Sequence, residues 1–478
     1  MASPKFVPCA PLVVVLTLGA VGLTAAHAHA ADDDEGFGTY VPPTAKVQKR
    51  TFSLAECLAL ADRNHPNVWA ARARLAATHA QLEEATWTPY WQWYAQAYGG
   101  VLPPLTGTAV YSGSPATALN PNFGAGWQPF MRFEVNGVLP IYTFGKISAS
   151  KDAAEAAVRV SEWDVEKARL QVRWDVRRAY YGLQFARDAR YFADEVIAKL
   201  DKGLSGMRKK FDKGDGSVAE IDKLRLEVYR EEVVARANEP QKGEVMAISA
   251  LRFLTGIATD FDIADEPIQR PTVAIAPVVQ YLTAARLYRP EVNMARAGVV
   301  ARGRWLEYNR ARLFPDLGLG LSASYNVAPS AVAQNNPWVV DPFNRFLFGA
   351  ALGLRWNLDL LPQAARIQQA ESQLEETRAH ERLALGGIAV EVEHAYAGML
   401  EAKHREESWD RAEHKSKQWI STVQDSIDLG NESERALLEP LRAYANARVS
   451  HLYALMDFNN SLAFLAFTTG WDSAASPR

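Results

Sequence analysis

Residues 345–357 read RFLFGAALGLRWN, and their parity decides the fold. Phe346, Phe348, Ala350, Leu352, Leu354 and Trp356 fall on one side of an extended chain, while Arg345, Gly349, Gly353, Arg355 and Asn357 fall on the other. Successive side chains of a strand point to opposite faces, so this segment is a strand with one greasy face and one polar or small face. Three earlier segments share the design. Trp91, Trp93, Ala95, Ala97 and Val101 oppose Gln92, Tyr94, Gln96 and Tyr98. Met131, Phe133, Val135 and Val138-Leu139 oppose Arg132, Glu134 and Asn136. Leu317, Leu319, Leu321, Ala323 and Tyr325 oppose Gly318, Gly320, Ser322, Ser324 and Asn326. Each segment is close to the roughly 9–11 residues that a tilted transmembrane strand needs. Trp91, Trp356 and Tyr325 stand at segment ends, where interfacial aromatic girdles form. A soluble sandwich with one buried face would carry the same alternation, so the company these segments keep has to decide.

That company is an internal repeat. Asn64-His65-Pro66-Asn67-Val68 and Tyr288-Arg289-Pro290-Glu291-Val292 each open an Ala/Arg-rich helical stretch, which ends at Thr88-Pro89 or Phe314-Pro315. An alternating segment, a Gly/Pro/Asn-rich loop and a second alternating segment follow in both halves, ending at Leu139-Pro140 and Leu361-Pro362. A very long helical pattern, a Gly-marked break and a return helix complete each half. The halves close on the hexapeptides at 251–256 (LRFLTG) and 465–470 (LAFTTG). Residues 257–277, without periodicity, read as a linker.

The long helices are the second unusual feature. Between Ser148 and Lys213 only Gly182, Gly203 and Gly206 interrupt a helical pattern, and no proline does. Some 65 residues at 1.5 Å each is on the order of 100 Å. One seven-residue seam runs Val158, Val165, Val172, Ala179, Ala186, Ala193, Leu200, Met207, and its partner runs Val176, Leu183, Arg190, Ile197, Leu204, Phe211. Such spacing implies a coiled coil. The stretch from Gln363 to Leu429 repeats the plan through Ile367, Leu374, Ile388, Val392, Ala395, Met399 and Ala402, with Gly386-Gly387 as a soft spot. Gly214 and Gly216 mark the first tip and Gly430 the second; glycine is the natural left-handed helix stop.

The remaining sequence sets the compartment. Lys5, an apolar run from Val7 to Leu23 and Ala28-His29-Ala30 predict a secretory leader, residues 1–30, cleaved after Ala30. Cys9 leaves with it, and Cys57 alone forms no internal disulfide. No later apolar run predicts a spanning helix, so a membrane crossing falls to strands, because only helices and closed barrels satisfy the backbone in lipid. Small barrels start at about eight strands, so four per chain imply pooling between subunits, two copies giving eight strands and three giving twelve; width favours three. The formal charge of -3 and the lack of a Lys/Arg block argue against nucleic acid.

Taken together, residues 52–61 (FSLAECLALA) with Asn64-His65-Pro66, the paired Pro-bounded strands, the two Gly-marked tips and the Thr-Gly ends resemble the TolC-type outer-membrane efflux family, from about Phe52 to Gly470. The resemblance implies a mixed membrane protein: four transmembrane β-strands per protomer pooled into a trimeric barrel, and long coiled-coil helices forming a periplasmic α-helical tunnel. It implies a homotrimer in outer-membrane lipid, with a periplasmic adaptor and an inner-membrane transporter as partners, serving efflux or type I secretion. It places adaptor docking at Gly214, Gly216 and Gly430. Acidic rings past the tips then map onto Glu439 and Glu220, or onto Asp222 if Gly216 is the anchor; Ala436 departs from the pattern, and Pro440 puts the second tip alignment in doubt. A carboxylate ring at a constriction would favour cations.

The domain expectation is a first repeat over 31–256 with strands near 90–101 and 129–140 and a hairpin over 148–256. The linker 257–277 follows, then a second repeat over 278–470 with strands near 315–327 and 344–358 and a hairpin over 363–469, and a tail at 471–478. The lipid-facing set is Trp91, Trp93, Met131, Phe133, Leu317, Leu319, Leu321, Phe346, Phe348 and Leu352. A soluble periplasmic coiled-coil scaffold would explain the helices but not the strands. A helix-bundle metalloenzyme has one foothold, the pairs Glu391/His394 and Glu401/His404, but both lie on one helix about 15 Å apart. No cofactor, catalytic residue or metal ligand is expected.

Overall fold

A computed structural model describes residues 50–106, 120–124, 126–212, 220–257, 261–329, 331, 343–429, 431–432 and 434–471. The expected leader and the three tip glycines lie outside these residues. The first half contains β1 (Arg50–Phe52), α1 (Leu54–Asn64), α2 (Pro66–Trp87), β2 (Gln92–Leu102), the two-residue strands β3 (Leu105–Thr106) and β4 (Asn120–Pro121), β5 (Gln128–Tyr142), α3 (Lys146–Asp212) and α4 (Glu220–Thr255). After β6 (Phe261–Ile263) come α5 (Val278–Tyr288), α6 (Pro290–Ala311), β7 (Asp316–Val327), β8 (Arg345–Arg355), α7 (Leu360–Asp428), a 3-10 turn (Glu434–Leu437) and α8 (Leu438–Thr469). The repeat is visible in the lengths. Helices α1 and α5 each have 11 residues, α2 and α6 each have 22, and α3 and α7 have 67 and 69.

Local chemistry sets the ends of these helices. Ser53 and Glu56 form a reciprocal capping box: the Glu56 carboxylate accepts from the Ser53 amide at 2.8 Å, and the Ser53 hydroxyl accepts from the Glu56 amide at 3.3 Å. Pro66 and Pro290 start α2 and α6, where a missing amide hydrogen costs nothing. The two Thr-Gly signatures perform one task in both halves. Gly256 and Gly470 take left-handed φ values of 72° and 65°, and each stops its return helix against the last residue of a short helix. A Cβ on Gly256 would lie 2.9 Å from the Asn64 Cβ, and one on Gly470 would lie 2.7 Å from the Tyr288 carbonyl oxygen.

The heptad seam of α3 is the core of the first half. Val158, Val165, Val172, Ala186 and Leu200 are buried, as are Val176, Leu183 and Leu204 of the partner seam. Cys57, Ala61, Val68 and Leu251 pack on its middle section. Arg190, the polar break in that seam, is held by Glu244 at 2.8 Å. The corresponding core of the second half joins Val392, Ala395, Met399 and Ala402 to Tyr281, Val292, Phe458 and Leu465.

The four long strands form one antiparallel sheet in the order β2-β5-β7-β8, so the halves meet where β5 pairs with β7. Strand β5 runs past Pro140 to Tyr142. It can do so because its pairing with β2 ends at Val138 and the register with β7 shifts between Pro140 and Tyr142, which spares the proline a ladder bond. Pro362, expected to end the fourth strand segment, instead sits in the first turn of α7. Trp91 and Trp356 flank the strands rather than lying within them, and the Trp356 indole donates to the Leu313 carbonyl at 3.0 Å.

The expected linker is a strap with structure of its own. β6 pairs in parallel with β1, and Phe52 stacks on Phe261. Arg187 of α3 binds the Asp262 carboxylate and the Ile263 carbonyl. Farther on, the Ile268 amide donates to Asp188 at 2.8 Å, Arg270 reaches Glu407 at 2.7 Å, and Asn459 of α8 donates to the Gln269 carbonyl at 3.0 Å. The strap lacks periodicity because it crosses helices instead of forming one.

Candidate functional site

A protomer is open at every level. In the sheet, β2 and β8 are the two edges. Above the strap the helices neighbour one another in the order α2, α3, α6, α7; below it the order is α4, α3, α8, α7. One edge is thus β2, α2 and α4, all from the first half, and the other is β8 and the α7 that follows it. Both edges leave large apolar side chains exposed: Trp69 on α2, Val245 and Phe253 on α4, and Leu383 and Val390 on α7. An unpaired strand edge and an apolar helix edge both call for a partner. The two edges differ, so copies join head to tail, and such an interface closes into a ring when the rotation allows.

The sheet has two unlike faces. Met131, Phe133, Phe346, Phe348 and Leu352 are exposed on one, at 53%, 49%, 70%, 65% and 71% of their area. Leu317, Leu319 and Leu321 share that face half-buried between neighbouring strands. Trp93 lies flat over Gly137, its cross-strand partner, so closely that a Cβ there would fall 2.2 Å from the ring. The other face carries Arg132, Glu134, Asn136, Ser322 and Gly349, half-buried or polar.

At the opposite end of the molecule the described residues stop short of the tips. Glu220 begins α4 and is exposed, and Glu439 stands exposed in the first turn of α8. Pro440 follows it, buried and still within the first turn, where proline is tolerated, so it starts the helix rather than kinking it. Asp222 differs from both glutamates. Its carboxylate is half-buried and lies 3.0 Å from Nε of Arg435, in the 3-10 turn before α8, and 3.7 Å from Arg225. The Nε–H is not aligned on that oxygen, so the contact is an ion pair rather than a hydrogen bond. Two to three turns up, Arg442 of α8 binds Glu232 of α4 at 3.1 Å and lies over the Tyr229 ring at 5.3 Å. The first-half and second-half hairpins are therefore tied by Arg435 and Arg442, and farther along by Arg236 of α4, which donates to the Asn446 side chain at 3.4 Å; none of these stood out in the sequence. For Arg435 the signal was a basic residue just past one tip answering an acidic residue, Asp222, just past the other.

The metalloenzyme foothold dissolves into ordinary helix pairing. Glu391 binds Arg289 at 3.1 Å, Glu401 binds Arg405 at 3.3 Å, and His404 faces Glu407 at 3.7 Å, while His394 is exposed. No group of His, Cys, Asp and Glu among the described residues is arranged to hold a metal ion. No helix among them is long and apolar enough to cross a membrane.

Comparison with known proteins places this architecture. The family model for outer membrane efflux protein matches residues 57–239 and 282–470, most of both halves. No curated protein sequence matches the chain. Among solved structures, it resembles CusC at 15% identity, with a TM-score of 0.71 over 91% of this chain and 99% of that one. It resembles the CmeC outer membrane channel of Campylobacter jejuni at 17% identity, with a TM-score of 0.66 over 91% and 94%. The MtrE outer membrane channel of Neisseria gonorrhoeae is similar at 15% identity, with a TM-score of 0.69 over 91% and 98%. The chain belongs to the outer membrane efflux protein family: it is a subunit of a homotrimeric outer-membrane channel, not an enzyme, and works with a periplasmic adaptor and an inner-membrane transporter.

Proposed function

We propose that each protomer supplies one third of a passive exit duct whose periplasmic end is held shut by the Asp222–Arg435 ion pair. The observation that carries this reading is the pair itself, 3.0 Å across, joining the return helix of one hairpin to the turn that starts the other. Of the three acidic candidates, Asp222 is the lock, because its charge is spent on Arg435. Glu220 and Glu439 stay solvated and supply the cation-favouring rings. Trp91, Trp93, Met131, Phe133, Leu317, Leu319, Leu321, Phe346, Phe348 and Leu352 face lipid, an assignment supported by the apolar face of the sheet. The repeats span 31–256 and 278–470, with 257–277 as the strap between them.

Docking of the adaptor at Gly214, Gly216 and Gly430 gives the lock a trigger, since a partner bound at the tips can compete for Asp222 or Arg435. The energy comes from the partner transporter, so the duct needs no nucleotide. Replacing Gly214 and Gly430 together with tryptophan should abolish recovery of the adaptor from cross-linked membranes of the native host, while the trimer and its bilayer conductance persist. Undiminished adaptor recovery would move the docking surface elsewhere.

A further inference from the structure

The polar face of the sheet carries its charges unevenly. Tyr98 pairs with Arg132, Arg132 with Asn326, and Asn326 with Arg345, so these four form a single row across all four strands. The row lies at the end of the sheet away from the helices, beside the β2–β5 and β7–β8 connections. Toward the helices the next rows are Gln96, Glu134, Ser324, Leu347 and then Tyr94, Asn136, Ser322, Gly349. Below these come Gly320, Ala351, Gly318 and Gly353, until Asp316 pairs with Arg355 at the base. Asp316 is neutralised there by Lys146 at 2.7 Å.

The two arginines of the upper row are not equivalent. Arg132 is bound by Glu134. Arg345 has no carboxylate within ion-pair distance among the described residues, and its Nε is buried without a hydrogen-bond partner. An arginine donor left unused in a half-buried site calls for an acceptor. The two connections above the row are poor in charge. Residues 103–127 carry none, and residues 328–344 carry only Asp341.

We infer that Arg345, repeated three times around the trimer beside the Arg132–Glu134 pairs, forms an anion-favouring filter at the outer mouth and binds phosphate- or carboxylate-bearing solutes on their way out. This rests on the duct reading, in which the polar face lines the lumen. Twelve strands about 4.8 Å apart and tilted about 40° close at a backbone radius of about 12 Å. Side chains narrow this further, so the lumen centre lies within roughly one Debye length, about 8 Å at physiological salt, of the guanidinium groups. Three positive charges without a carboxylate partner among the described residues, at that range, shift the ratio of anions to cations by about three- to tenfold. The channel then has filters of opposite sign at its two ends, carboxylates at the tips and arginines at the mouth.

The test uses the purified full-length trimer in planar bilayers under a salt gradient, with inorganic tripolyphosphate as blocker on the loop side. Arg345→Gln should lower the anion-to-cation permeability ratio severalfold and weaken tripolyphosphate block about tenfold, and Arg345→Glu should do so further. Arg345→Lys, which keeps the charge, should retain both properties. Asp341→Asn should strengthen the block. Unchanged selectivity and block in Arg345→Gln and Arg345→Glu would overturn the filter while leaving the duct intact. A trimer without conductance would overturn both.

Discussion

Removing the Asp222–Arg435 contact should open the periplasmic end without loosening the trimer. The bare attraction of unit charges 3.0 Å apart is about 5–6 kcal/mol at an effective dielectric constant of 20. That figure needs a heavy discount. The Arg435 side chain is 55% exposed, although the Asp222 side chain is only 15% exposed, and measured exposed pairs contribute about 0.2–1 kcal/mol. Taking roughly 0.5–1 kcal/mol per pair, three symmetry-related pairs hold the closed state by about 1.5–3 kcal/mol. At about 1.4 kcal/mol per decade, that is a roughly 10- to 150-fold shift in the ratio of open to closed channels. Asp222→Asn, Arg435→Gln and the double variant should be compared by single-channel open probability. Each single substitution should raise the open-to-closed ratio by that order, and the double should do no more than either alone. Full additivity of the two effects, or no effect from either, would refute the lock.

Three further outcomes follow from particular residues. Gly470→Ala meets both a left-handed backbone, worth about 1–2 kcal/mol, and the Tyr288 carbonyl, so the heated trimer should dissociate several degrees earlier. Gly303→Ala, in an open position of α6, should be neutral or stabilising in the same assay, and equal behaviour of the two would contradict the reasoning. Burial holds the His65 imidazole below its ordinary 6.5, and its Nδ1 accepts from the Asn67 amide at 3.2 Å only while unprotonated. Its contribution to stability is therefore present above pH 6.5 and lost as pH falls below it; His65→Asn, a cap that does not titrate, should flatten the acid limb of a stability–pH profile. Burial pushes the Cys57 thiol up to about 12, so a maleimide should label it only after denaturation, and rapid labelling of the native trimer would mean that α1 does not pack as described.

Much of the architecture was legible because each element obeys a single period. The strands set apolar side chains on one face at nearly every second residue, with Val138 and Leu347 as departures on the polar face. Seven-residue spacing survives along α3 because both neighbouring seams are buried together, Val172 with Val176 and Leu183 with Ala186. What escaped the sequence is the work of long-range pairing. The strap over 261–270 looks structureless because its amides and carbonyls are satisfied by Arg187, Asp188 and Asn459, side chains remote in sequence. Pro140 and Pro362 looked alike as strand terminators, yet one sits at a register shift and the other in a helix's first turn, a distinction made by neighbouring strands rather than by flanking residues. At the tip, spacing from the glycines picked out three acids without ranking them. Arg435 ranks them by reaching only Asp222, and that contact depends on how two hairpins from different halves lie side by side.

The central claim is that one chain has two unlike open edges and that three copies close them. Native mass measurement of the detergent-extracted protein tests it most directly. The predicted result is a single species of three chain masses, released from the membrane fraction only by detergent. A stable monomer recovered from the aqueous periplasmic fraction would contradict it.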